Sequence, residues 1–256
     1  MWNYRKIDFI RPALTEKYIA FVGSGGKTTL MEYMAGEFLK QGRTVAITTT
    51  TKIYVKDPYI LLDEVVKGRA AMPFVRVGRN IENGKLTAIG FDDIGMLGSI
   101  YDIVLIEADG AKGRPLKYPA PYEPVIPHFS EKIFAVCGLD ALFGRLDEDV
   151  FRWELFREAT GTGGDALITR QLFLRFFADD ALLKGVDREK CTVVLNKYDM
   201  LGIKSEAMEI GKEIIAGTGV EEVMVSSVLY KVFWGINYRK SAASSQKPEV
   251  GSRKSG

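Results

Sequence analysis

The chain has 256 residues, 46% of them hydrophobic, enough for one sizeable α/β domain, alone or with a small subdomain, whose core needs no disulfide staples. Thirty-five basic residues nearly cancel thirty-three acidic ones, which excludes a general field for a nucleic-acid backbone or an anionic membrane; any anion must be bound locally. Cys137 and Cys191 form no CxxC pair and lie in or beside apolar runs, as buried free thiols do. No apolar stretch approaches the roughly 18 residues that span a bilayer, and no signal-peptide core follows Met1, so a soluble, cytoplasmic protein is expected.

Lys17 to Val22 reads as a strand, followed by glycines and then by a helix over 27–40, with Leu30, Met31, Met34 and Phe38 at helical spacing. Gln41-Gly42-Arg43 stops that helix, and β-branched residues make Val45 to Thr51 a second strand, which completes a β-α-β unit. A further helix is expected around Leu62 to Ala70. Two short strands, Phe74 to Val77 and Leu86 to Ile89, are expected to meet as an edge hairpin across Asn83-Gly84. Ile103 to Ile106 is apolar without alternation, as in a strand covered on both faces, and it ends in Glu107-Ala108-Asp109-Gly110. A proline-rich connection from Pro115 to Pro127 leads to buried strands at Ile133 to Cys137, Thr192 to Leu195 and Glu222 to Val225. Between the first two of these, residues 149–185 carry many aromatics and read as a small helical insert. The expected organisation is a single α/β domain over 1–228, a mostly parallel sheet flanked by helices in the manner of P-loop NTPases. A C-terminal segment over 229–256 ends in a polar, disordered tail from Lys240.

The turn Gly23-Ser24-Gly25-Gly26-Lys27-Thr28-Thr29 lies where a strand runs into a helix. Free backbone amides and the positive end of the helix dipole meet there, which is what phosphate oxygens need. Lys27 can reach the terminal phosphates of a nucleoside triphosphate, and the Thr28 hydroxyl is where such loops hold Mg2+. The full eight-residue pattern wants glycine where Phe21 stands; the shortened loop resembles that of Mur-type ligases. Hydroxyls of Thr48 to Thr51, Thr50 among them, are metal-side candidates, unless the run is simply a β-rich strand end. Glu107 or Asp109 can hold the metal as a Walker B acid does. Alternation along a strand does not choose between them once the chain turns. Lys112, Arg114 and Lys117 form either a clamp for an anionic substrate or a solvated basic loop.

Asn196-Lys197-Tyr198-Asp199 is an N-K-x-D pattern at the end of a buried strand. In GTPase-like folds its Asp accepts hydrogen bonds from guanine, with Asn and Lys bracing the base pocket; GTP is favoured here and ATP competes. His128 is the only histidine, so no histidine metal cluster forms, and no G-x-S-x-G elbow marks a serine hydrolase.

The ordered segments Phe21 to Thr29, Thr48 to Ile53, Glu107 to Lys117, Pro121 to Pro127 and Leu195 to Asp199 resemble the YqeC family over about residues 15 to 228. The run E-A-D-G-A-K-G-R-P-L-K with its proline-rich sequel is the most specific of them. The resemblance implies an accessory role in maturing a selenium- or molybdenum-containing hydroxylase cofactor, with a molybdenum hydroxylase or a cofactor-maturation protein as partner. Nothing in composition or spacing speaks to that chemistry. Tyr118, Tyr122 and Phe151 depart from the family pattern, the last two where histidine is more usual.

Three functions compete: a nucleotide-hydrolysing accessory protein using Lys27, Glu107 and Asp109; an ATP-dependent ligase or kinase-like transferase acting on a small anion; and a sensor that binds nucleotide without turnover.

Overall fold

The computed structural model describes residues 2–7, 15–69, 72–202 and 204–238. The first half contains β1 (Trp2–Lys6), β2 (Tyr18–Gly23), α1 (Lys27–Lys40), β3 (Val45–Thr49), β4 (Lys52–Tyr54), β5 (Tyr59–Leu61) and α2 (Leu62–Val66). β6 (Phe74–Gly78), β7 (Ile81–Glu82), β8 (Lys85–Thr87), α3 (Phe91–Ile100) and β9 (Ile103–Glu107) follow. The second half adds β10 (Leu116–Lys117), β11 (Lys132–Gly138), α4 (Leu146–Asp149), β12 (Val150–Phe151), α5 (Trp153–Thr160) and α6 (Arg170–Arg175). It closes with β13 (Cys191–Asn196), α7 (Lys204–Thr218), β14 (Glu222–Ser227) and β15 (Val232–Tyr238).

Ten strands form one sheet in the order β1-β15-β14-β13-β11-β2-β9-β3-β6-β5. From β14 to β5 every pairing is parallel, and β15 and β1 close one edge antiparallel. The chain is therefore α/β with a mostly parallel sheet. β2 lies at its switch point: β9, β3, β6 and β5, all built before residue 108, stack on one side of it, and β11, β13, β14 and β15 on the other, with β1 added beyond β15. In open sheets of this kind, ligands bind at the carboxyl ends of the strands beside such a point.

Helices cover both faces because the strands are apolar on both. On one face Leu30, Met31, Met34 and Phe38 of α1 pack on Phe21, Ile47, Leu105 and Val136. On the other, α7 packs on β14 and β15 through Val223 and Ile236, the segment after β11 joins Val22, Ala135 and Val193 in the same core, and α3 covers β9 and β6. Within the aromatic segment Phe156 stacks on Phe176 with ring centres 4.4 Å apart, and Phe173, Phe176 and Phe177 are all buried. Both cysteines are buried free thiols, and burial pushes Cys191 up to about 12.

Several elements differ from expectation. Asn83 and Gly84 do make a tight turn with positive φ at both, but it joins β7 to β8 in a separate three-stranded sheet completed by β4. With only two residues in the turn, the strand entering it must end at Glu82, so Phe74–Gly78 is free to pair with β3 inside the main sheet. α3 and α7 are additional. Their glycines lower helix propensity but serve close contacts: a Cβ on Gly98 would lie 1.9 Å from the Tyr18 hydroxyl, and one on Gly211 2.5 Å from Ile236 Cδ1. The sheet also continues past 228 through β15. The tail expected from Lys240 lies outside the described residues. Among the described residues, no helix is long and apolar enough to cross a membrane.

Candidate functional site

β2 delivers the glycine turn to the carboxyl edge of the sheet, and neighbouring strands fix its path. Ser24 N donates to Val136 O (2.8 Å), Gly25 N to Arg114 O (3.1 Å) and the Ser24 hydroxyl to Pro115 O (2.9 Å). Gly25 has φ +72°, and a Cβ there would stand 2.1 Å from Gly138 N, so no other residue lets the turn sit this close to β11. No side chain caps α1. Its first intrahelical bond runs from Leu30 N to Gly26 O (3.0 Å), which leaves the amides of Lys27, Thr28 and Thr29 without an intramolecular acceptor among the described residues. A cluster of unsatisfied donors at the positive end of a fourteen-residue helix is a seat for an anion.

Beneath the turn lies a buried chain of charges. Lys27 donates to Gly23 O and pairs with Asp109 Oδ1 (2.9 Å); Asp109 Oδ2 accepts from Gly23 N (2.8 Å) and from Lys117 Nζ (3.0 Å). Lys117 continues to Glu123 (2.7 Å), which Arg152 also holds. The parallel β10–β12 pairing, with Lys117 opposite Phe151, sets these last groups side by side. Burial alone disfavours the Lys27 ammonium, but Asp109 and Glu107 outweigh it and hold its pKa above the ordinary lysine value. Burial likewise works against the Glu123 carboxylate, yet bonds from Arg152 and Lys117 keep its pKa below the usual range.

Glu107 occupies a different environment from Asp109. Its Oε2 accepts from the Thr28 hydroxyl (3.3 Å), and it lines a cavity of about 600 Å³ together with Ser24, Lys27, Thr28 and Thr29. Burial, seconded by the nearby Asp109 charge, pushes the Glu107 pKa up despite the pull of Lys27. Among the described residues no group of three or more histidine, cysteine, aspartate or glutamate side chains can hold a metal unaided. One carboxylate beside one hydroxyl, with phosphate oxygens completing the shell, is the donor set that Mg2+ takes. The residues present fit that ion.

The structure brings some expected residues together and parts others. Of the threonine run, Thr51 lines the cavity; the Thr50 hydroxyl instead donates to Val125 O (2.7 Å). Lys112 and Arg114 line the cavity and are exposed, whereas Lys117 spends its donors on Asp109, Glu123 and Gly110 O. Tyr54, Lys85 and Arg152 also line it although no motif marks them, because only folding brings their separate loops to one edge; Tyr122, a departure from the family pattern, lies with them. His128 stands apart, exposed beside Phe91 and Phe129.

On the β13 side, Asn196 is buried and fully engaged: Nδ2 donates to Gly25 O (3.0 Å), and Oδ1 accepts from the Ser226 hydroxyl (3.1 Å) and Val228 N (3.3 Å). Lys197, at φ +62°, reaches the cavity wall and pairs with Asp140 (2.6 Å). Asp199 lies in a 3-10 turn at Tyr198–Met200, outside the cavity lining, with its Oδ1 buried and without a hydrogen-bond partner.

A mostly parallel α/β sheet with a glycine-rich strand-to-helix turn and an acidic neighbouring strand defines the class of protein. Residues 19–154, just over half the chain, match the model of the YqeC family, described as YqeC protein; the chain belongs to that family. The match spans the turn, the threonine run and the Glu107 to Lys117 segment, and stops short of Asn196 to Asp199. The chain is also 34% identical over 163 residues to the "Uncharacterized protein YqeC" of Escherichia coli (strain K12), which covers 59% of this chain. The matched stretch spans 63% of that relative's length. No solved structure matches the chain.

Proposed function

We propose that this chain binds a magnesium nucleoside triphosphate at the glycine turn and hydrolyses it. The observation that carries the reading is the uncapped start of α1, whose unsatisfied amides face the same cavity as Lys27, Thr28 and Glu107. The amides and the Lys27 ammonium, once it leaves Gly23 O, would hold the β and γ oxygens; Thr28 and Glu107 would hold the metal. Bound magnesium supplies neutralisation of the charge that develops on those oxygens. The protein's part is positioning and electrostatics. Guanine as the base is supported by the N-K-x-D pattern at the end of β13; the Asp199 carboxylate, buried and outside the cavity lining, would have to turn toward the base. By the family resemblance, turnover would serve maturation of a selenium- or molybdenum-containing hydroxylase cofactor in the cytoplasm. Phosphoryl transfer to a small anion is the second reading, favoured by the cations on the far wall of the cavity.

Calorimetric titration with non-hydrolysable GTP and ATP analogues, with and without Mg2+, tests the proposal. Magnesium-dependent binding is expected, weakened at least about tenfold by Lys27→Ala; a variant that binds like wild type would remove the central claim. Asp199→Asn is expected to narrow the gap between GTP and ATP. Equal loss of both would sink the base-reading role. Phosphate release without an added acceptor would favour hydrolysis over transfer.

A further inference from the structure

The cavity holds more positive charge and more aromatic surface than a triphosphate at the glycine turn uses. The buried chain is self-contained: Lys27, Lys117 and Arg152 are matched by Asp109, Glu123 and the neighbouring Glu107. Lys52 is paired with Glu82, and Lys197 with Asp140. Lys85, Lys112 and Arg114 remain, and none of them has a carboxylate within ion-pair distance among the described residues. Three cations without a close ion-pair partner on one concave surface, Arg114 balanced only at longer range by Asp147 and Asp149, make a positive lining that attracts an anion.

Rings accompany the cations. Tyr122 is 71% exposed and Tyr54 67%, although both line the cavity, and Phe151 lies with them. Lys85 Nζ stands 4.4 Å from the centre of the Tyr54 ring, Lys112 Nζ 5.3 Å from that of Phe151, and the Arg152 guanidinium 4.6 Å from Phe151. Exposed rings with cations over them leave apolar faces for a flat partner and charge for its acidic substituent. Lys117 opposite Phe151 in the β10–β12 pairing, and Glu123 gripping Arg152, hold this wall at a fixed place relative to the turn.

We propose that this wall is a second binding site, for a small planar aromatic ring carrying a phosphate or carboxylate, bound in the same cavity as the nucleotide. It rests on the reading of the glycine turn as a triphosphate site and names the class of second ligand that would lie beside it. Lys112 and Arg114 contact the anionic group, and Tyr122 and Phe151 contact the ring.

The test is a fluorescence titration of the full chain, saturated with Mg2+ and a non-hydrolysable GTP analogue, with 1-naphthyl phosphate as probe; 1-naphthol and inorganic phosphate are the controls. Naphthyl phosphate is expected to bind one-to-one without displacing the nucleotide, at least tenfold tighter than either control. Lys112→Ala and Tyr122→Ala are each expected to weaken the probe by at least fivefold more than they weaken the nucleotide. Displacement of nucleotide by the probe, equal binding of 1-naphthol, or no probe binding to the loaded protein would each overturn the second site and leave the first standing. If no nucleotide binds, the triphosphate reading fails, and the titration is made on the protein alone. Probe binding that Lys112→Ala weakens would then still uphold the wall as a site, and insensitivity would overturn it.

Discussion

Asp109→Asn is expected to lower the free energy of unfolding by about 3 kcal/mol, read as a fall in the urea midpoint at unchanged slope. Asp109 is 3% exposed, pairs with Lys27 and accepts from Lys117 and Gly23 N, so the isosteric amide keeps the volume and removes the charge that two buried ammonium groups share. The remaining carboxylates, Glu107 and Glu123, cannot compensate, because Glu123 is already shared with Arg152 and Glu107 is held by Thr28. A loss below about 1 kcal/mol would mean that the chain of charges redistributes, and that its role as the foundation of the turn is wrong.

Glu107→Gln, two residues away, should move stability in the opposite direction and remove the magnesium dependence of triphosphate binding. The raised pKa means that folding disfavours the ionised carboxylate. That cost is present above the raised pKa and disappears as pH falls below the value of the unfolded chain, so at neutral pH the glutamine variant escapes it. The variant should therefore unfold at a slightly higher urea concentration, while its triphosphate affinity becomes at least about tenfold less responsive to Mg2+. Retained magnesium dependence would move the metal-side role away from Glu107. Loss of stability comparable to that of Asp109→Asn would show that the two acids share one structural task.

The contrast between these acids marks how far the sequence could be read. β9 and the emergence of acidic groups at its end were legible, because an unbroken apolar run between polar segments has few other uses. Which acid opens on the cavity was not, since that depends on Lys27 and Lys117 arriving from elsewhere in the chain. α1 was legible to the residue because Leu30, Met31, Met34 and Phe38 repeat at helical spacing beside a glycine turn. α3 and α7 were not. Their glycines speak against helix locally and are explained only by Tyr18 and Ile236, which fold against them. Lys117 had the look of a substrate clamp in a basic loop; burial turned it into an internal counter-ion. The aromatic wall was legible only in part: Tyr122 and Phe151 stand out as departures from the family pattern, but their meeting with Tyr54 depends on the fold.

Asn196 offers a mechanical consequence. One carboxamide fastens the carbonyl of Gly25 to the ends of β13 and β14 through Ser226 and Val228. Three turns that belong to three strands are thus riveted at a single point, like the jaws of a caliper locked at one opening. None of them can drift without carrying the others. The span between the glycine turn and the ends of β13 and β14 is consequently a fixed length, and what bridges it is gauged by its reach as well as by its chemistry.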